Sequence, residues 1–208
     1  AAFDEGYLKE NLIKKVKGFS MGESTREYLT YDELQRLSQT LCKIPLLKRA
    51  FIFSALTGIR WSDVTKLKWS KVRDEGMDDS GNPTFRIVFQ QKKTEGVEYL
   101  YISQQARDLL GERKDSKQRV FKGLRYSAHM NLQLLRWCMA AGITKHITFH
   151  SARHTNAVLL LENGADIYTV SKRLGHKEIR TTEIYAKIID KKMKEAAENL
   201  EFEEAAKI

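Results

Sequence analysis

His150-Ser151-Ala152-Arg153-His154-Thr155, then Leu174-Gly175-His176, then Tyr185 nine residues further on, is the stretch around which the chain is organised. His150 and Arg153 have i,i+3 spacing, so a helix places both side chains on one face. The run Ala157-Val158-Leu159-Leu160-Leu161 is apolar enough to seat that helix in a core, and Gly164 falls where a left-handed cap would end it. Asp166 suits the N-cap of a second, short helix, and Gly175 suits its stop. Two helices with two glycine stops would carry imidazole, guanidinium and phenol groups toward one place.

Upstream, Thr30 followed by Glu33 forms a capping box that opens a helix running to about Leu41. After Pro45, the strongly apolar segment Leu46–Thr57 is expected to be the central helix. Thr57-Gly58-Ile59-Arg60-Trp61-Ser62-Asp63 comes next. Gly58 reads as the residue past a helix end and Ser62 as an N-cap, which puts Arg60 on a tight corner beside the core helix. The pattern then changes. A short strand is expected at Trp69–Val72, an acidic connection over Asp74–Pro83, and an alternating strand over Thr84–Gln90 with Phe85, Ile87 and Phe89 on one face. A lysine-bearing turn over 91–96, with Lys92 and Lys93, leads to a third strand, Val97–Ile102. Helices are expected from Ser103 to about Leu110 and over Leu124–Ala141, where Leu132, Leu135, Trp137 and Met139 are available for packing. A charged helix follows over Lys187–Ile208, and an amphipathic pattern occupies residues 4–17. The fold class is therefore α+β, mainly helical, with a small three-stranded antiparallel sheet on one side.

Totals narrow the chemistry. The chain has 208 residues, 42% of them hydrophobic and 30% charged, and a net charge of +9. That charge favours a polyanionic partner, because cationic side chains neutralise phosphates and release counterions. No apolar run is long enough to span a bilayer, and no signal-peptide pattern opens the chain. Cys42 and Cys138 sit in helical apolar patterns and read as buried small residues of a reducing compartment. Of the five histidines, none pairs with a helix-borne glutamate in a metal-binding motif, and Arg153 inside the cluster would repel a bound cation. Asp78-Asp79 reads as a solvated turn. Phosphate-loop and serine-hydrolase signatures are absent from the sequence. What remains is two arginines, a lysine, two histidines and a tyrosine, a set suited to phosphoryl transfer. Guanidinium groups bind phosphate oxygens, and a phenol serves as nucleophile when a base takes its proton.

Thr57-Gly-Ile-Arg-Trp-Ser-Asp63, the lysine hairpin, His150-x-x-Arg153-His154, Leu174-Gly175-His176 and Tyr185 together resemble the tyrosine recombinase (phage integrase) family, in order from Thr30 to Lys187. The resemblance implies a catalytic domain that cuts one DNA strand at a time through a 3′-phosphotyrosine, with no metal and no cofactor. By the same resemblance Arg60 and Arg153 clamp the scissile phosphate, Lys93 (or its neighbour Lys92) protonates the leaving 5′-oxygen, and His150 exchanges a proton with the tyrosine. His176 would hydrogen-bond the phosphate, Tyr185 would be the nucleophile, and Asp63 would support the site from behind. His154, about 100° around the helix from Arg153, is taken as structural. Trp61 and Trp69 are taken as packing residues.

The implied partners are double-stranded DNA with specific recombination sites, a homotetramer on that DNA (the domain alone being monomeric), and an accessory DNA-bending protein. The implied location is the cytoplasm of a bacterium, at the nucleoid, with the protein encoded by a phage or mobile element. Residues 1–27 are expected to be the last helix of a preceding DNA-clamping domain plus linker, 28–190 the catalytic domain, and 191–208 a C-terminal helix. Without the preceding domain, weak DNA binding is expected. In that last helix Met193, Ala197, Leu200 and Phe202 form a stripe that either docks on a neighbouring protomer or folds back on its own domain. A type IB-like topoisomerase and a non-catalytic DNA-binding protein of the same fold are the rival readings.

Overall fold

The structure is a computed structural model that describes residues 26–90 and 97–205. Helix α1 (Tyr31–Gln39) starts at the expected capping box. The Glu33 amide donates to Thr30 Oγ1 at 3.2 Å, and the Thr30 amide donates to Glu33 Oε2 at 2.8 Å. Pro45 then takes the first position of α2 (Pro45–Thr57), where its missing N–H costs nothing. Apolar side chains surround α2, and Leu47, Ala50, Phe51, Ile52, Phe53 and Ala55 are all buried. A helix that is hydrophobic on all sides belongs in the middle of a fold. Phe51 meets Trp137 and Phe149 edge-on, each at 5.8 Å between ring centroids.

A two-glycine scaffold holds the corners. Gly58 ends α2 in the left-handed region, and Gly175 does the same for α7 (Ile167–Leu174). Helix α3 (Trp61–Val64) is one turn long and capped by Arg60, not by Ser62. Trp61 packs edge-on against Phe149 at 4.5 Å, and Trp69 is buried, so both are packing residues as expected.

The sheet has the order β1-β2-β3, antiparallel throughout, from strands Val72–Met77, Pro83–Gln90 and Val97–Ile102. Val72, Phe85, Ile87, Leu100 and Ile102 form its buried face. The first strand corrects the sequence reading: Trp69–Lys71 is a 3-10 turn, and the acidic segment expected to be a connection supplies most of β1. After Val72 every residue of β1 is exposed, so this edge strand carries no alternation to detect. The Asp78 turn does behave as a solvated loop, with Asp78 Oδ1 accepting from the Ser80 and Asn82 amides.

Helix α4 (Gln104–Asp108) is capped by Ser103. Helix α5 (Ala128–Ala140) begins later than expected, at Ser127, because Phe121 and Leu124 are buried from a non-helical segment. Its packing face also differs. Leu134, Trp137 and Cys138 are buried, whereas Leu132, Leu135 and Met139 are exposed. Helix α6 (Phe149–Glu162) packs across α2, and α8 (Arg180–Ala205) packs on α6 and α7. Ala157, Val158, Val170, Leu174 and Tyr185 make a second apolar cluster beneath α7 and α8. Tyr185 thus lies inside a long helix that starts earlier than the expected Lys187. Both cysteines are free and buried. No helix among the described residues is long and apolar enough to cross a membrane.

Candidate active site

Four elements meet around the end of α7. Arg153 on α6 is 4% exposed, and it spans the two glycine-stopped corners. Its Nη1 donates to the Gly58 carbonyl at 2.7 Å, and its Nη2 donates to the Leu174 carbonyl. Arg60, on the corner after α2, reaches the Gly175 carbonyl through Nη2 at 3.4 Å. The two guanidinium groups are therefore referenced to consecutive carbonyls of one turn. Ser54 fixes the corner itself, donating to the Ile59 carbonyl at 2.8 Å.

Burial lowers the Arg153 pKa to about 10, helped by Arg60 and opposed by the phenol of Tyr185 and the carboxylate of Asp63. It stays cationic at neutral pH. Asp63, in the first turn of α3, is thus close enough to temper that pair. Charge of one sign packed in a partly dry corner has to be matched by an anion.

His176 follows Gly175 directly, and its Nδ1 lies 2.7 Å from the Thr182 hydroxyl at the start of α8. Burial, then Arg153 and Arg60, pushes its pKa down to about 4. His150 stands at the solvent-facing side of α6, held below the ordinary histidine value by partial desolvation and by Arg153, Arg26 and Arg60. Tyr185 is 1% exposed. Burial raises its pKa, while Arg26 and Arg153 oppose the rise.

The structure thus brings together Arg60, His150, Arg153, His176 and Tyr185, with the Asp63 carboxylate near enough to act on Arg153. Lys92 and Lys93 lie outside the described residues. The strands that flank them, β2 and β3, end at Gln90 and begin at Val97. Arg173 ties this sheet to the site, donating to Tyr101 on β3 and to Leu56 on α2.

Two contacts were not read from the sequence. His154 is 7% exposed, and its Nδ1 lies 2.7 Å from the Tyr185 hydroxyl. The i,i+4 spacing of His150 and His154 was the available signal, and it shows as perpendicular rings 4.6 Å apart. Arg26, from the connector before α1, bears on the same phenol. Nothing in a polar connector announces such a contact. Among the described residues, no group of three His, Cys, Asp or Glu is placed to hold a metal ion.

Acid should unfold this domain early. His154, pushed down mainly by burial to about 3, and His176 at about 4 are neutral in the folded state. Unfolded histidine titrates near 6.5, so between those values the unfolded chain binds more protons. Stability present at pH 7 is then lost as pH falls below the unfolded value, by roughly 3–4 kcal/mol for the pair at pH 5. Urea midpoints at pH 7 and pH 5 measure the loss, and replacing both histidines by asparagine should flatten it. An unchanged slope would assign the acid sensitivity to other groups.

Comparison with known proteins agrees with this fold. Residues 27–192 match the model of the phage integrase family. The chain is 23% identical over 225 residues to the ICEBs1 integrase of Bacillus subtilis (strain 168), covering 96% of this chain and 61% of that protein. It is 25% identical over 241 residues to a XerC-like tyrosine recombinase of Caldanaerobacter subterraneus subsp. tengcongensis, with the same two coverages. The chain therefore spans about three-fifths of the length of these relatives. In fold it is similar to a lambda integrase solved as a tetramer bound to a Holliday junction, with a TM-score of 0.63 and 22% identity over 88% of this chain and 54% of that one. The mainly helical architecture with its three-stranded antiparallel sheet is thus similar in fold to that structure, and the family model, matching over residues 27–192, means that this chain belongs to the phage integrase family.

Proposed function

We infer that the chain is the strand-cleaving part of a site-specific DNA recombinase, acting in integration or excision of a mobile element. The observation that carries this reading is the pair Arg60 and Arg153, anchored on consecutive carbonyls at the end of α7 with a phenol and two imidazoles beside them. In the proposed reaction the arginines hold the non-bridging oxygens of one phosphodiester and offset the charge that develops on them. Tyr185 Oη attacks phosphorus, the new Oη–P bond forms, and the P–O5′ bond breaks. His150 takes the phenol proton, and Lys93 gives one to the departing 5′-oxygen. His176 hydrogen-bonds the phosphate, oriented by Thr182. The products are a 3′-phosphotyrosine and a free 5′-hydroxyl. A 5′-hydroxyl from a partner duplex then reverses the step and joins the strands. The cations are the protein's own, so the reading requires no metal.

The partner is double-stranded DNA carrying recombination sites, bound by four copies, consistent with the net charge of +9. Residues 28–190 are read as the catalytic unit, 1–27 as the last helix of a DNA-clamping domain plus linker, and 191–208 as a C-terminal helix that either docks on a neighbouring protomer or folds back on its own domain. Family matching over 27–192 supports those limits. A protein acting on such DNA works at the nucleoid.

A nicked suicide duplex tests the reading, because the short fragment beyond the cut diffuses away and traps the covalent state. The expected result is a protein–DNA adduct formed in excess chelator, with the nucleotide on the peptide containing Tyr185. An adduct on another residue, or none on any cognate site, would overturn it. Relaxation of supercoiled plasmid without paired sites would favour the topoisomerase reading instead.

A further inference from the structure

Tyr185 is withdrawn. At 1% exposure its phenol cannot touch a phosphate lying outside the protein surface. The three aromatic rings form a series from solvent inward. His150 is exposed, His154 is 7% exposed, and Tyr185 lies behind it, with ring centroids 4.6 Å and then 5.7 Å apart. The phenol hydroxyl lies 2.7 Å from Nδ1 of His154, the ring behind His150, and Arg26 also reaches the phenol.

We propose that His154 is a positioning residue that holds the Tyr185 phenol inside the domain, and that the phenol must leave His154 for the His150 side before it can attack. The proposal rests on the reading of Tyr185 as the nucleophile. A hold of this kind needs an uncharged partner, since a second cation beside Arg153 would be costly in a buried place. His154 meets that need, being far too weak a base to stay protonated at neutral pH. In its Nε2–H tautomer the ring presents the Nδ1 lone pair to the phenol O–H. His154 itself cannot follow the phenol outward, because it sits in the middle of α6 with the buried neighbours Arg153, Thr155 and Asn156. A shift of the first turns of α8 would carry the phenol with it, and those turns are joined to α7 through the His176–Thr182 bond.

Two readouts on the full chain test the hold. Tetranitromethane nitrates accessible tyrosines, and peptide mass spectrometry gives the Tyr185 rate relative to Tyr126, which is 72% exposed. The wild-type ratio should be small. His154→Phe, which keeps a ring and removes the acceptor, should raise it at least ten-fold. His154→Asn places an amide atom near the Nδ1 position and should restore protection. Val158→Ala loosens the same apolar cluster without touching the bond, and should leave the ratio near wild type. On the nicked duplex, His154→Phe should cleave several-fold faster in a single turnover. An unchanged nitration ratio in His154→Phe would overturn the proposal. So would an equal rise in Val158→Ala, no rescue by asparagine, or slower cleavage. Nitration is read without DNA, so a wild-type chain that forms no adduct would count against the recombinase reading alone.

Discussion

Arg153→Ala should lose both fold stability and strand cleavage, the stability by about 2–4 kcal/mol and the cleavage rate by at least about 1,000-fold. The structural part comes from two carbonyls, those of Gly58 and Leu174, that the guanidinium satisfies at once. Removing it leaves both unpaired in a buried corner and unties α2 from α7. Relief of the buried positive charge offsets some of this. The chemical part comes from losing the better-fixed of the two guanidinium groups proposed to bind the phosphate. Arg153→Lys separates them, since an ammonium keeps the charge but cannot bridge two carbonyls and still present a planar fork to phosphate. Cleavage by the lysine variant should stay at least about 100-fold down, since the bidentate geometry supplies the stabilisation. Urea unfolding and single-turnover cleavage of the nicked duplex give the two numbers. A lysine variant that cleaves at the wild-type rate would show that charge alone suffices there.

Gly58→Ala, one methyl group, should cost about 2–4 kcal/mol and slow cleavage by roughly 10- to 100-fold. Gly58 has φ 75°, which an alanine adopts only with strain. Its Cβ would also arrive 2.7 Å from Asn156 Oδ1 and 2.8 Å from Leu174 Cδ2. Neither neighbour gives way easily. Asn156 is held by its bond to the Ala55 carbonyl, and Leu174 is fully buried at the end of α7. The collision would push α2 and α7 apart at the point where Arg60 and Arg153 are referenced to each other. Stability should therefore fall together with the rate, whereas Gly76→Ala, where a Cβ meets no atom within 4 Å, should cost only the backbone strain.

Much of this was legible in the chain, and the reasons differ by element. The α1 capping box, the Asp166 cap and the glycine stops at Gly58 and Gly175 are local chemistry, so a few residues of sequence specify them. The all-round apolar character of α2 likewise announced its central place. Strand β1 was missed because an exposed edge strand has one buried residue and no period to read. Exposure of Leu132, Leu135 and Met139 on α5 was missed because composition cannot say which of two apolar stripes faces the core. At the site, spacing joined His150, Arg153, His176 and Tyr185, and the family resemblance added Arg60 to them, but neither says anything of depth. That Tyr185 is sunk against His154 depends on how α8 lies across α6, a tertiary fact outside the reach of any local pattern.

The unbroken run of α8 makes it a lever. Its 26 residues extend about 39 Å, with Tyr185 roughly 8 Å from the near end. Ile184, Ile188 and Ile189 pack the near third against the body, which serves as the fulcrum. Beyond Asp190 most residues described are exposed, Met193 and Ala197 among them, and the outer arm is braced near its start by Lys192, which donates to Glu162 Oε1 on α6 and lies over the Tyr28 ring. Tyr185 lies between Ile184 and Ile188, at the fulcrum itself, so a swing of the far tip tilts the phenol in its place and carries it only a small fraction of the tip's travel. A push on the outer arm therefore arrives at the phenol reduced in amplitude and increased in force, which suits breaking one short hydrogen bond better than carrying a side chain a long way.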